Sequence, residues 1–71
     1  MDDNRLKYFR NEIRAEADRQ WDNFTDEMVD EVVKRILNDY DVADLNDRDF
    51  DAFIDSGCIE SIVELVGIDM M

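Results

Sequence analysis

The chain has 71 residues, 45% of them hydrophobic and 39% charged, and its twenty acids outnumber eight bases to give a net charge of −12. That apolar content excludes a disordered acidic tail, and that charge excludes direct binding to nucleic acid or to an anionic membrane. A single cysteine excludes a disulfide framework, and the absence of histidine removes the commonest acid–base group and transition-metal ligand.

The chain reads as one small domain over residues 1–71, helical throughout, with no proline and no alternating strand pattern. The opening "MDDNRLKYFR" has no apolar core of a signal peptide, and no run approaches the roughly 20 apolar residues of a bilayer span. With one thiol and no such segment, the expected location is the cytoplasm, or the host cytoplasm for a phage-encoded protein.

The first predicted helix covers residues 4–22. Leu6, Phe9, Ile13, Ala17, Trp21 and Phe24 fall within a stripe about 120° wide at the helical 100° per residue. Such a stripe is core first and interface second. "NFTDEM" then marks a boundary, where Thr25 or Asn23 caps a second helix and Asp26 and Glu27 occupy its first turn, favoured there by the macrodipole. Lys34 and Arg35 are placed late in that helix, where cations are favoured. Met28, Val29, Val32, Val33, Ile36, Leu37 and Tyr40 cover an arc of about 180°, the mark of a central helix with more than one neighbour.

"NDYDVADLND" breaks the period, because Asn and Asp side chains compete for backbone hydrogen bonds. A short helix over about 47–55 buries Phe50, Phe53 and Ile54, with Gly57 as its left-handed stop. A last short helix over about 58–66 buries Ile59, Ile62, Val63 and Val66, with Gly67 closing it. Cys58 is read as a small buried apolar residue. The expected fold is all-α, a bundle of about four helices, two longer and two short.

"DRDFDAFIDSGC", residues 47–58, has the look of half a calcium loop, with Asp47, Asp49 and Asp51 in the first three ligand positions. The glycine position is Ala52 and the bidentate anchor position is Cys58, which offers no oxygen. The loop therefore fails, and no metal or cofactor is expected. Ser56 and Ser61 have no histidine to activate them, and a bundle this small has little room for a pocket, so the chain is read as non-enzymatic with no catalytic residues.

The acids are unevenly placed. Residues 1–19 carry five bases and five acids, which leaves the whole net charge to residues 20–71. Asp39, Asp41, Asp44, Asp47, Asp51, Asp55, Glu60 and Glu64 form the candidate partner-binding set. On a helix, Asp47, Asp51 and Asp55 stand one above the other, about 6 Å apart. Duplex DNA carries one phosphate per roughly 3.4 Å of rise on each strand. In size, charge and helical character the chain resembles the small acidic proteins of phages and mobile elements that mimic DNA or block restriction and CRISPR enzymes. That resemblance implies an inhibitor that occupies the basic nucleic-acid-binding site of a partner protein. The alternative is a helical interaction module or homodimer that docks through the Leu6–Phe24 stripe, with the acids serving solubility.

Overall fold

The computed structural model describes residues 2–70 and contains four α-helices: α1 (Asp3–Gln20), α2 (Asp26–Asp39), α3 (Asp47–Asp55) and α4 (Cys58–Met70). A single 3-10 turn, Val42–Asp44, joins α2 to α3, and there is no strand among the described residues. The fold is all-α, as its periodicity predicts.

Each of the first three helices starts on a side-chain cap. Asp2 accepts from the Arg5 N–H at 3.0 Å, Thr25 from the Met28 N–H at 3.3 Å, and Asn46 from the Asp49 N–H at 2.8 Å. Such caps satisfy backbone donors that the helix itself leaves open, at about 1 kcal/mol each. Gly57, at φ +86°, ends α3 and lets the chain turn at once into α4. That left-handed conformation is the one a side chain resists.

Several boundaries and burials depart from expectation. α1 stops at Gln20, because Trp21 is extended and turns its indole toward α4. α4 does not stop at Gly67 but runs to Met70, so its 13 residues nearly match the 14 of α2. Gly67 is a packing residue: a Cβ built there would overlap Cε2, Cζ2 and Nε1 of Trp21. Because α2 continues to Asp39, Lys34 and Arg35 fall short of its last turn, which holds no base. Leu37 and Tyr40, 40% and 42% exposed, lie outside the buried arc, and Cys58 is only half-buried.

The core is one cluster fed by every helix. Phe9, Ile13 and Ala17 of α1, Val32 and Ile36 of α2, and Val63 and Val66 of α4 have no exposed surface. Phe9 meets Phe50 edge-on at 6.0 Å, and Phe53 fills the corner between Phe9 and Tyr40, with centroids 6.4 and 5.4 Å away. Side chains of this size each contribute about 1.5–3 kcal/mol on burial. No polar or charged residue is buried among the described residues, so every carboxylate stands at the surface.

This packing consumes the Leu6–Phe24 stripe. Phe9, Ile13, Ala17 and Phe24 are buried within the chain, and Leu6 and Trp21 pack against the same cluster. The stripe is therefore largely used within the chain, with Leu6 and Trp21 only partly covered.

Candidate functional site

The placement of the bases decides which acids remain unmatched. On α1, Arg10 and Arg14 project from the flank that faces α2. Arg10 binds Asp30, and Arg14 binds both Asp26 and the Phe24 carbonyl. Arg35 pairs with Glu31 at 3.7 Å and with Asp69 at 3.1 Å, tying α2 to α4. Arg5 reaches from the start of α1 to Asp47 at 2.8 Å, and its guanidinium lies 4.7 Å above the Phe50 ring. Arg19 turns back onto Glu16 of its own helix at 3.2 Å.

The opposite flank of α1 carries Tyr8, Glu12 and Glu16 at helical spacing, and it faces α3 and the start of α4. The helical period that turns Phe50, Phe53 and Ile54 inward sets Asp47, Asp51 and Asp55 along one edge of α3. α1 and α3 thus meet with carboxylates on both sides of their seam. An open groove of about 880 Å³ lies at one end, lined by Asp2, Asp3, Arg5, Tyr8, Asp47 and Asp51. A smaller hollow of about 190 Å³ lies at the other, lined by Glu12, Glu16, Arg19, Asp55 and Glu60.

Tyr8 lines the larger groove. Its phenol is held above its ordinary value, first by the charge of Glu12, then by partial desolvation, a hydrogen bond with Glu12, and the charges of Asp51 and Asp55. At the head of the groove the Asp2 carboxyl is held below its ordinary value, chiefly by the backbone N–H of Arg5 that it caps. Glu12, Asp51, Asp55 and Glu60 make no ion pair among the described residues, whereas Asp47 is already engaged by Arg5.

Of the eight acids singled out from the sequence, Asp47, Asp51, Asp55 and Glu60 are brought to this seam. Glu64 lies one turn further along α4. Asp39 ends α2, Asp41 follows it and Asp44 lies in the 3-10 turn, all exposed and none lining either hollow. Glu12 and Glu16 were not singled out, because α1 is neutral as a whole. Their i, i+4 spacing was legible, but which helix they face depends on packing. Residues 47–55 are helical, so their alternating carboxylates do not converge as a calcium loop requires. No group of three or more metal-ligating side chains is placed to hold an ion among the described residues.

The arrangement carries a cost. Like charges across the seam repel, and Asp39 and Asp55 sit in last turns that contain no base, where the helix dipole disfavours carboxylates by about 0.3–1 kcal/mol each. No helix among the described residues is long and apolar enough to cross a membrane. No protein-family model, curated protein or solved structure matches the chain.

Proposed function

We propose that the chain is a non-enzymatic binding protein whose acidic seam occupies the basic, nucleic-acid-binding site of a partner protein. This is the mode of a DNA-mimicking inhibitor, the kind phages and mobile elements direct against restriction or CRISPR enzymes. One observation carries the reading. The fold matches Arg10 and Arg14 with acids of α2 and, among the described residues, leaves Glu12, Asp51, Asp55 and Glu60 without a cation. Carboxylates that repel one another in the free protein recover that energy when a partner's lysines and arginines lie along them.

The spacing suits the role. Asp51 and Asp55 lie one helical turn apart, about 6 Å along the axis, and Glu12 and Glu16 form a second row across the seam. Carboxylates a turn apart on two neighbouring helices are a coarse counterpart of the phosphates spaced along a duplex backbone. Asp47, held by Arg5, contributes less to the outward field than its place in the sequence suggests.

The test is capture of the partner at about 50 and 500 mM salt, where screening lengths differ severalfold, with duplex DNA as competitor. Capture at low salt only, with displacement by DNA, supports the reading. It also requires that the triple variant Glu12→Gln, Asp51→Asn, Asp55→Asn lose capture while remaining folded. A partner retained at high salt and indifferent to DNA would overturn it.

A further inference from the structure

Arg5 shows how this seam holds a cation. Its guanidinium is bound by the Asp47 carboxylate at 2.8 Å and lies 4.7 Å above the ring of Phe50, with the Val42 and Leu45 carbonyls accepting from its other nitrogen. A carboxylate beside an aromatic face is the pairing that suits a guanidinium. The planar fork takes up the oxygens while its face stacks on the ring.

One turn further along α3 a carboxylate and a ring again share one groove, with no cation paired to them among the described residues. Asp51 replaces Asp47, and the neighbouring ring is Tyr8, whose centroid lies 6.1 Å from that of Phe50. Tyr8 is 46% exposed, so its ring is open to the groove it shares with Asp51. Glu12 and Asp55 add to the negative field around it. The three carboxylates come from two helices and do not form a metal-binding cluster among the described residues. Such an arrangement suits an extended, planar cation better than a compact ion that needs all its oxygens at about 2.3–2.6 Å.

We infer that the Tyr8 ring with Asp51 and Glu12 is a seat for an arginine side chain of the partner, an outside counterpart of the seat that Arg5 fills within the chain. This inference rests on the reading that the seam meets a basic partner, and it adds that the decisive cation is arginine. Lysine carries the same charge but has neither the fork nor the flat face, and it holds its water more tightly.

The probes are an arginine-only and a lysine-only peptide of equal length, titrated into the intact protein by calorimetry at low salt. The expected result is tighter binding of the arginine peptide, by about two- to fivefold for each partly exposed stacked guanidinium. Tyr8→Leu should remove that preference and leave the lysine peptide unaffected, while Tyr8→Phe, which keeps the ring, should retain it. Thermal melts of both variants check that the fold is intact. Equal affinity for the two peptides would overturn the arginine seat and leave the acidic-seam reading standing, as would a preference that survives Tyr8→Leu. Failure of both peptides to bind would overturn the two together.

Discussion

The two flanks of α1 are made from the same helix and treated in opposite ways. Toward α2, Arg10 and Arg14 meet Asp30 and Asp26, and Arg14 also binds a backbone carbonyl. Toward α3, Glu12 and Glu16 share a hollow with Asp55 and Glu60, Asp51 lines the groove beside Tyr8, and Arg19 answers only Glu16. The first flank uses charge to hold the bundle together. The second holds by its aromatic core, with Phe9 against Phe50 and Phe53, and by Arg5 on Asp47 at its head, while Glu12, Asp51 and Asp55 work against it. A chain that arranges complementary charges along one side of a helix has the means to do so along the other. The unmatched side is the one proposed to meet a partner's charge.

The matched flank breaks with the largest effect. Arg14→Ala removes two carboxylate pairings and the bond to the Phe24 carbonyl, from a side chain only 32% exposed. A loss of about 1–2 kcal/mol is expected, because a half-buried carbonyl is left unsatisfied and the side chain's apolar stem no longer packs. For a domain of this size that is a fall of about 4–8 °C in Tm per kcal/mol, read by thermal melting. Arg19→Ala, at a side chain 74% exposed, is the control and should change stability by less than about 0.5 kcal/mol.

The unmatched flank should respond with the opposite sign. Glu12→Gln, Asp51→Asn and Asp55→Asn together relieve like-charge contacts worth a few tenths of a kcal/mol each. The triple variant is expected to gain up to about 1 kcal/mol in urea unfolding, with most of the gain gone at high salt. A loss of stability instead would mean that favourable contacts, the hydrogen bond between Glu12 and Tyr8 among them, outweigh the repulsion.

The smallest effect is a pH dependence at Tyr8. Its phenol is raised above the ordinary value of 10.0 in the folded chain, so the native state holds that proton more tightly than the unfolded one. This contribution to stability is complete below pH 10.0 and is lost as pH rises through the folded value. In an alkaline titration followed by circular dichroism, Tyr8→Phe should lose stability less steeply than the parent above that point. Equal slopes would remove Tyr8 from the repulsive seam.

Much of the bundle was legible because its signals are local. Thr25 as a cap, Phe50, Phe53 and Ile54 at i, i+3, i+4, and Gly57 as a left-handed stop are decided within a turn or two of the chain. α3 accordingly spans the expected 47–55. Gly67 carries the same local signal with a different cause. A glycine near the end of an apolar period reads as a terminator, but here it admits a tryptophan ring from a residue far away in sequence. The acidic seam divides the same way. The Asp47–Asp51–Asp55 row follows from helical periodicity, whereas Glu12 joins it only through the angle at which α3 lies on α1. The diversion of Asp47 to Arg5, 42 residues earlier, is a tertiary fact with no sequence signature.

The contact between Trp21 and Gly67 also bears on how the chain folds. It fastens the end of the first helix to the last, and the side chain of Gln20 reinforces it by donating to the Glu60 carbonyl at 3.1 Å. With α4 lying against both α1 and α2, the one core that the helices share is complete only when α4 has docked. Early local pairings therefore gain little until the two ends of the chain have met. Folding should then proceed as a single cooperative event, with loop closure rather than helix formation as its slow step. The lone indole, packed at that closure, provides an intrinsic fluorescence signal for following it.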